Sequence, residues 1–436
     1  DLHSFPTRRS SDLRLRWLDG DELKISLPAD GAFAKENLPV DTGRKRSFTL
    51  VLLAEEPVII AGKAEAGNSF QSNDYIPGST LLGALAWKAA RKNDLADKEI
   101  YERFCELFLR GGVRVSPLYK AKLVGNHVYP AIPSPLDFLT CKLKPGLEMH
   151  EHGAKGYAFV ADEPKECAEC RSERRVTPLV PLNRYVSLHP KYLLTEVNSV
   201  EEMHIAIDPR TGKARSGDLY SYSALAAGQY FIGTIEIEDW HTFTWLLRKE
   251  GENREGVSLE IRIGKAAGRG YGLTKVWLSE KEPALTFHGQ PLEKRVKDIS
   301  ESIVMTLLSD AILTDVWGRF YGTFKQEFLE EILGVKVKVI NVYARTRSID
   351  GFNSHLGLPR WREIAIVAGS SVGFKIKGSV DPTEFVNRLQ ELERKGIGFR
   401  RAEGFGKLAF NHPIYQQDEN LDARLNLPSF LCPEKR

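Results

Sequence analysis

Apolar and polar positions in the second half of the chain predict a regular order of strands and helices. An apolar, strand-like run begins at residue 302, a helix-like segment follows with the sequence "TFKQEFLEEILG", and the next segment, "VKVKVINVYARTRS", alternates as a strand does. A further strand is predicted in "EIAIVAGSSVGFKIKG", then a helix from Pro382 to Lys395 and a last strand in "KLAF". The order β-α-β-β-α-β predicts a ferredoxin-like (RRM-like) domain.

The helix predicted from Pro382 to Lys395 has clear start and stop signals. Asp381 can cap its first turn, Glu384 completes a capping box, and Gly396 is placed to end it. Its apolar stripe consists of Phe385, Leu389 and Leu392.

The first half of the chain fits the same order, but with a large insertion at about residues 134–190. Strands are predicted in "SFTLVLLAEEPVII" and "QYFIGTIEI", and helices in "GSTLLGALAWKAARKN", with Ser79 or Thr80 as its cap, and after Asp239. The segment "SLEIRIG" follows the second helix. We therefore predict an α+β protein with two ferredoxin-like domains in tandem, residues 47–283 and 284–436, and the insertion in the first.

Each predicted domain contains a glycine-rich, arginine-bearing loop before its last strand. The two loops read "IGKAAGRGYGLTKVWL" and "GIGFRRAEGFGKLAF". The Gly-aromatic-Gly sequence ends at Gly272 in the first loop and at Gly406 in the second. The offset, 406 minus 272, is 134 residues. This spacing indicates an internal duplication.

Composition places the chain among ordinary globular proteins. Of its 436 residues, 42% are hydrophobic and 27% charged, and the net charge of +3 means that a nucleic-acid surface would have to be local. No apolar run approaches the roughly 20 residues of a membrane span. Five cysteines, an odd number, argue against a disulfide framework and for thiols or metal in a reducing compartment. We expect a cytoplasmic protein without a membrane partner.

The start of the chain is excluded from the fold prediction. Residues 1–13, "DLHSFPTRRSSDL", resemble one reading frame of a sequencing adapter, and we interpret them as a cloning or assembly scar. Residues 14–46 are polar and turn-rich, have no counterpart in the second half, and stay unassigned.

The insertion contains candidate metal ligands. Cys141 precedes His150 and His152, and Cys167 and Cys170 form a CxxC motif. Three sulfurs and one histidine make a tetrahedral, closed structural zinc site. The alternative is three free thiols and surface histidines. Of the other cysteines, Cys105 is expected in the core and Cys432 in the tail.

Five segments together resemble a known family. They are "DYIPGSTLLGALAWK" (74–88), "HIAIDPRTGKARSGDLYSYSALAAGQYF" (204–231), "GRGYG" (268–272), "GFNSHLGLPRWREIAIVAGSSVGF" (351–374) and "GIGFRRAEGFG" (396–406). In this order they resemble the RAMP superfamily of CRISPR effector proteins, and are most similar to the large tandem-RAMP subunit of type III-D complexes. The resemblance spans roughly residues 47–411. It also favours His152 over His150 as the zinc ligand, because the family often has a His-Gly pair there.

The resemblance implies a non-catalytic subunit that binds guide (CRISPR) RNA within a type III ribonucleoprotein effector. Such a subunit holds the repeat-derived 5′ end of the guide and contacts the large polymerase-like subunit and backbone RAMP subunits, and it reaches target RNA only indirectly. The segment at 204–231 forms a protrusion over guide RNA in relatives, although a solvated hairpin also explains it. The alternatives are a metal-independent endoribonuclease, acting on guide precursor or target RNA, and a protein-only assembly scaffold.

RNA-cutting relatives carry an aspartate between the first strand and the "IPGS" turn. Here that loop offers only Glu65 and Asp74, and Asp74 lies against the turn itself, so the resemblance gives no support to target cutting. Three histidines, His127, His189 and His355, are candidates for acid-base chemistry only by expected exposure.

Glycine-rich turns let backbone N–H groups approach phosphate oxygens closely. The turn before the first predicted helix can present helix N-terminal amides to a phosphate, or serve plain strand-to-helix packing. The aromatic residues of the loops either stack on bases or anchor the loops, and the glycines could be simple structural turns. The candidate RNA-binding residues are Lys265, Gly268, Arg269, Gly270, Tyr271 and Gly272 in the first loop, Arg400, Arg401, Gly404, Phe405 and Gly406 in the second, and Pro77, Gly78 and Ser79 in the turn.

Overall fold

The computed structural model describes residues 45–64, 69–145, 154–161, 164–207, 211, 213–247, 252–253, 256–353, 358–416, 421 and 423–432. The helices in this part of the chain are α1 (Gly78–Lys92), α2 (Lys98–Phe104), α3 (Ala168–Ser172), α4 (Trp240–Leu247), α5 (Pro283–His288), α6 (Leu292–Arg295), α7 (Gln326–Leu333) and α8 (Pro382–Lys395). A π-helical turn, Cys105–Leu109, follows α2. Of the helices described, none has the length and apolar character needed to cross a bilayer.

The strands are short and mostly antiparallel. In chain order they are β1 (Arg46–Ala54), β2 (Ala61–Ala64), β3 (Ser69–Ser72), β4 (Val113–Val115), β5 (Tyr119–Lys120), β6 (Lys122–Val124), β7 (His127–Tyr129), β8 (Ala131–Pro133), β9 (Phe138–Cys141), β10 (Lys155–Gly156), β11 (Leu179–Pro181), β12 (Tyr185–Ser187), β13 (Leu194–Thr195), β14 (Ser199–Ile207), β15 (Ala214–Leu225), β16 (Tyr230–Ile237), β17 (Glu252–Asn253), β18 (Gly256–Arg262), β19 (Leu273–Ser279), β20 (Ile303–Leu307), β21 (Val337–Tyr343), β22 (Thr346–Ile349), β23 (Phe352–Asn353), β24 (Leu358–Pro359), β25 (Glu363–Ile366), β26 (Ser371–Ile376), β27 (Leu408–Phe410) and β28 (Leu425–Asn426). The protein is therefore a mixed α/β structure built on antiparallel sheets.

The larger sheet lies in the first half of the chain, with the strand order β17-β18-β19-β1-β16-β4. β1 is antiparallel to both of its neighbours, β16 and β19. Because side chains alternate between the two faces of a strand, Leu50 and Leu52 pack with α1 and α4 in one core, while Val51 belongs to a second core on the opposite face. Both faces of β1 are thus buried, which explains its nearly continuous apolar sequence.

The second half of the chain contains a four-stranded sheet in the order β21-β26-β20-β27, with all pairs antiparallel. Helices α7 and α8 share a core with this sheet. Asp381 accepts a hydrogen bond from the Glu384 N–H at 2.8 Å, and Gly396, with φ 71°, ends α8. The predicted bounds and N-cap of this helix are confirmed.

The second core, which contains Val51, joins the two halves through the insertion. Val51 and Ile232 of the larger sheet pack there with Phe138 and Val186 of the insertion and with Leu425 from the C-terminal part of the chain. β28 pairs in an antiparallel manner with β7, a strand that precedes the insertion. The end of the described chain therefore packs on the first half.

Two local predictions are wrong. Neither Ser79 nor Thr80 caps α1, since the helix begins at Gly78 after Pro77 and has no side-chain cap. The predicted strand over "EIAIVAGSSVGFKIKG" is divided into β25, which pairs with β22, and β26, which joins the four-stranded sheet. In contrast, the segment at 204–231 does contain a hairpin, formed by β14 and β15, and Cys105 is buried in the core as expected.

Acid should destabilise the fold through His412. Its ring is buried, its Nε2 lies 2.9 Å from the Phe287 carbonyl oxygen, and its Nδ1 accepts from the Ile414 N–H at 3.2 Å. Burial lowers the pKa of His412 from 6.5 to about 3. The unfolded chain therefore binds a proton below pH 6.5 that the folded chain excludes, so stability present above pH 6.5 is lost as the pH falls toward 3.

As the pH falls from 6.5 toward 3, we expect the free energy of unfolding to decrease by about 1.4 kcal/mol per pH unit because of His412 alone. Urea titrations of wild type and His412→Gln at pH 7 and pH 4 isolate this contribution, because the other titrating groups are common to both proteins. Equal pH dependence of the two proteins would contradict the assignment.

Candidate functional site

The two glycine loops, residues 264–272 and 398–406, have the same backbone geometry at a constant offset of 134 residues. In the first glycine loop the Ile263 N–H donates to the Gly272 carbonyl oxygen at 2.9 Å, and in the second the Ile397 N–H donates to the Gly406 carbonyl oxygen at 2.9 Å. The left-handed positions also correspond, as Gly264 with Gly398, Ala266 with Arg400, Gly270 with Gly404, and Gly272 with Gly406. The structure therefore contains one loop design twice.

Close backbone contact explains why glycine ends each loop. A Cβ atom on Gly272 would lie 2.2 Å from the Ile263 carbonyl oxygen, and one on Gly406 would lie 1.8 Å from the Ile397 carbonyl oxygen. Gly270 differs, because a Cβ atom there would meet nothing within 4 Å, although its φ of +85° still favours glycine.

The first glycine loop presents its cations to solvent and buries its aromatic residue. Lys265, Gly268, Arg269 and Gly270 are exposed, whereas only 3% of Tyr271 is accessible. The Tyr271 hydroxyl donates to the Glu202 carboxylate and lies 3.0 Å from the His204 Nε2. Of the two roles predicted for Tyr271, the structure shows the anchor.

The second glycine loop holds one of its two arginines in contacts within the protein. Arg400 donates to Glu363 at 2.5 Å and to Glu403 at 2.9 Å, and its guanidinium lies 4.9 Å from the ring centroid of Phe405. The hydrogen bond to Glu403 is the largest cause of the raised pKa of Arg400. Arg400 is thus held within the protein by two carboxylates, while its neighbour Arg401 is exposed.

The second glycine loop also packs against the start of α1. A Cβ atom on Gly78 would lie 2.1 Å from the Val115 carbonyl oxygen and 2.6 Å from that of Glu403. A Cβ atom on Gly404 would likewise lie 2.6 Å from the Val115 carbonyl oxygen. The structure therefore brings Pro77, Gly78 and Ser79 together with the second loop, and Gly78 serves close packing between the two halves.

A cavity of about 380 Å³ lies beside this contact, and we call it the junction cavity. Pro77, Gly78, Gly404 and Phe405 line one part of it. Most of the other lining residues are not among the candidates predicted from the sequence, and they include Tyr75, Tyr119, Tyr185, Asp310, Arg345 and Arg347. They come from distant parts of the chain, and no local motif connects them.

The junction cavity contains an ion pair between a buried carboxylate and a partly exposed arginine. The Arg347 Nε donates to the Asp310 carboxylate at 2.5 Å, and the Ala368 N–H donates to the other carboxylate oxygen at 2.9 Å. Burial raises the pKa of Asp310, and the positive charge of Arg347 opposes that shift. Arg347 also donates to the Tyr75 hydroxyl, and burial raises the pKa of Tyr75 to about 12.

The catalytic candidates occupy varied surroundings. Asp74 is exposed at the edge of the junction cavity. His127 and His189 are both partly buried, so neither is as exposed as expected, and burial lowers the pKa of His189. Glu65 and His355 lie outside the described residues.

Three cysteines of the insertion form a compact cluster. Cys141 ends β9, Cys167 precedes α3, Cys170 lies within α3, and all three are buried. Their sulfur atoms lie within 4.8 Å of one another, and those of Cys141 and Cys170 are 3.6 Å apart. Two thiolates on one tetrahedral zinc ion are ~3.8 Å apart when each bond is about 2.3 Å long. The donor set therefore fits a metal ion such as zinc. The predicted fourth ligand, His152, and its alternative, His150, lie outside the described residues.

Comparison with solved structures finds distant similarities to chains of type III-B Cmr-beta complexes. A chain of the complex bound to cognate target RNA and AMPPnP has a TM-score of 0.41 and 14% identity, covering 74% of this chain and 86% of that one. A chain of the complex bound to cognate target RNA has a TM-score of 0.39 and 15% identity over the same shares. A chain of the apo complex has a TM-score of 0.26 and 10% identity, covering 53% of this chain and 96% of that one.

No curated protein matches the chain in sequence. The family model of the RAMP superfamily does match, over residues 52–275, which is just over half of the 436 residues. This range contains most of the larger antiparallel sheet, including β4, β16, β18 and parts of β1 and β19, together with α1, α4 and the whole first glycine loop. The chain therefore belongs to the RAMP superfamily.

Proposed function

We propose that this RAMP protein is a non-catalytic guide-RNA-binding subunit of a type III CRISPR ribonucleoprotein effector. It holds the repeat-derived 5′ end of the guide and contacts the large polymerase-like subunit and backbone RAMP subunits, so that target RNA reaches it only through the complex. The order of its five sequence motifs favours the tandem-RAMP subunit of type III-D complexes. The single observation that carries the proposal is the first glycine loop, a tight backbone turn with exposed cations inside the RAMP match.

Two ferredoxin-like units form the proposed framework. In each sheet the first strand lies between the third and fourth strands of the unit, as β1 lies between β16 and β19 and β20 lies between β26 and β27. The second strand of each unit, β4 in the first and β21 in the second, lies at the edge of its sheet next to the third strand. We place the boundaries of the units at residues 47–283 and 284–436, with the insertion at about 134–190.

The first glycine loop is the better phosphate site of the two. Lys265 and Arg269 are exposed on a turn whose glycines bring backbone atoms to the surface. In the second loop, Arg400 is neutralised by Glu363 and Glu403, and Gly404 is covered by Val115. Only Arg401 offers an exposed cation among the candidate residues there. RNA binding through the second loop therefore depends on Arg401.

The absence of catalysis is part of the proposal. Asp74, the candidate nearest to the position of the cutting aspartate, lies beside the turn before α1 and contacts the Tyr185 hydroxyl. His189 accepts a hydrogen bond from the Lys191 backbone N–H through its Nδ1 at 3.1 Å. Neither group is paired with a second acid or base in the manner that general acid-base cleavage requires.

Binding measurements with purified full-length protein test the proposal. We expect Lys265→Ala, Arg269→Ala and Arg401→Ala each to weaken binding of a labelled single-stranded repeat RNA with little dependence on base sequence, because phosphate contacts carry no sequence information. Each lost contact should reduce the salt slope of log K by about 0.7. The matched control is Lys336→Ala, since Lys336 is exposed, pairs with Glu330 and lies outside both loops.

The same experiment separates the alternatives. A cut product formed by the protein without partners would establish the endoribonuclease instead. A protein that binds no RNA at low salt would leave only the scaffold. If all three loop variants retain the affinity and salt slope of the wild type, the glycine loops are structural turns and the proposed site is wrong.

We also propose that the cysteine cluster binds structural zinc, with Cys141, Cys167, Cys170 and His152 as ligands. The ion would fix α3 against β9 and β11, which otherwise share only a small core. Four protein ligands close such a site and leave no position for catalytic water. The zinc therefore serves the stability of the insertion.

A further inference from the structure

We propose that the junction cavity binds one unpaired nucleotide of a bound single-stranded RNA, with the base against the tyrosine side chains that line it and the phosphate at Arg345. This inference rests on the proposed RNA-binding function and adds to it a single-nucleotide subsite. At about 380 Å³, the cavity is in the range of ligand pockets that accept small organic molecules.

Three tyrosines give the cavity its aromatic walls. The ring centroids of Tyr75 and Tyr119 are 5.7 Å apart, and those of Tyr119 and Tyr185 are 5.3 Å apart. All three rings have fixed hydroxyls, since Tyr75 accepts from Arg347, Tyr119 donates to the Leu308 carbonyl oxygen at 2.8 Å, and Tyr185 contacts Asp74. Preorganised aromatic side chains stack on nucleobases without selecting one base.

Among the arginines that line the cavity, Arg345 is the best placed to bind a phosphate group. Arg347 is neutralised by Asp310, and Arg184 pairs with Glu196. Arg345 is exposed, and its Nη1 donates to Asn183, a neutral amide, at 3.1 Å. Its positive charge therefore stays uncompensated by that contact, and a guanidinium binds phosphate oxygens with charge-assisted hydrogen bonds.

The N-terminus of α1 adds to this preference for an anion. Pro77 and Gly78 line the cavity, the helix has 15 residues, and its first turn contains no acidic residue. The partial positive charge of a helix N-terminus favours a nearby anion. Together, the aromatic walls and the two sources of positive potential match the two parts of a nucleotide.

The position of the cavity fits a nucleotide turned out of an RNA strand. It lies between the two halves of the chain and is bordered by Glu403, Gly404 and Phe405 of the second glycine loop. Exposed Arg401 belongs to the same loop. A strand held by Arg401 can therefore place an adjacent base at the cavity.

Photocrosslinking tests the inference on the full-length protein. A 12-nucleotide single-stranded RNA with one 4-thiouridine, moved through each position in turn, is irradiated and the crosslinked peptides are identified by mass spectrometry. We expect crosslinks to peptides that contain Tyr75, Tyr119 or Tyr185. The substitution Ala368→Phe, which fills the cavity and changes no charge, should remove them and weaken binding about tenfold, as expected for the loss of one stacked base.

A second variant guards against misfolding of Ala368→Phe. Arg345→Ala alters an exposed side chain and should also weaken binding about tenfold, as the loss of a charge-assisted contact does. Its matched control is Arg362→Ala, because Arg362 is exposed, pairs with Asp350 and lies outside the cavity lining; this variant should bind like the wild type.

Each outcome distinguishes the subsite from the proposed function. If RNA binds, crosslinks avoid the three tyrosine peptides and Arg345→Ala retains wild-type affinity, the subsite is overturned while RNA binding stands. If the wild type binds no RNA, the proposed function fails. In that case adenosine and uridine monophosphates are titrated alone, and absence of saturable, Arg345-dependent binding overturns the subsite as well.

Discussion

Cys167→Ser should remove about one bound zinc ion per chain and make the insertion susceptible to protease. The side chains of Cys141, Cys167 and Cys170 are all buried, and their sulfur atoms lie within 4.8 Å of one another. Loss of one thiolate leaves an incomplete ligand set, and the affinity of structural zinc sites is coupled to folding. Elemental analysis of the purified protein and limited proteolysis measure the two effects.

Cys432→Ser is the matched control, since Cys432 is half-buried and lies outside the cluster. It should retain the full metal content. Substitution of His152 or His150 by alanine then identifies the fourth ligand, and we expect only His152→Ala to release the ion. A metal-free wild-type protein whose insertion resists protease as well as the zinc-loaded form would refute the site.

Local signals in the sequence were sufficient to predict a helix where its own residues mark where it begins and ends. Helix α8 has an N-cap aspartate, a proline in its first turn and a terminating glycine, and the structure places it at the predicted residues. Asp239 accepts a hydrogen bond from the Thr242 N–H at 3.1 Å at the start of α4, also as predicted. Such signals act within one helical turn, so they do not depend on the rest of the fold.

Contacts between distant segments were not predictable in the same way. Gly78 was grouped with a possible phosphate site, but the requirement for glycine there comes from Val115 and Glu403, which lie far away in sequence. The junction cavity depends on an ion pair between Asp310 and Arg347 and on tyrosines from three segments. A periodic pattern shows which face of a strand is apolar, but it does not show which residue of another segment covers it.

The repeated loop illustrates both cases. The offset of 134 residues was visible in the sequence, and the backbone of the two loops agrees in its hydrogen bonds and left-handed positions. Their side chains have diverged, because Lys265 corresponds to Phe399 and Arg269 to Glu403 at this offset. Sequence spacing therefore identified the repeated loop, whereas the different surroundings of Arg269 and Arg400 required the structure.

Substitution of Gly406 by alanine should lower the free energy of unfolding much more than substitution of Gly270. At Gly406 a Cβ atom would lie 1.8 Å from the Ile397 carbonyl oxygen and φ is +75°, so Gly406→Ala combines a backbone clash with a strained conformation. We expect it to lower the free energy of unfolding by about 3–5 kcal/mol. At Gly270 the space is open and only the φ of +85° is unfavourable, so Gly270→Ala should cost about 1 kcal/mol.

Gly83 provides the matched control for these substitutions. It lies exposed within α1, a Cβ atom there would meet nothing within 4 Å, and its φ is not positive. Gly83→Ala should therefore stabilise the protein by roughly 0.5–1 kcal/mol, the usual gain of alanine over glycine in a helix. Urea unfolding of the three variants should give the order Gly83→Ala, wild type, Gly270→Ala, Gly406→Ala from most to least stable. If Gly406→Ala is as stable as Gly270→Ala, the close contact that ends the second loop does not constrain the fold, and the shared loop geometry loses its structural basis.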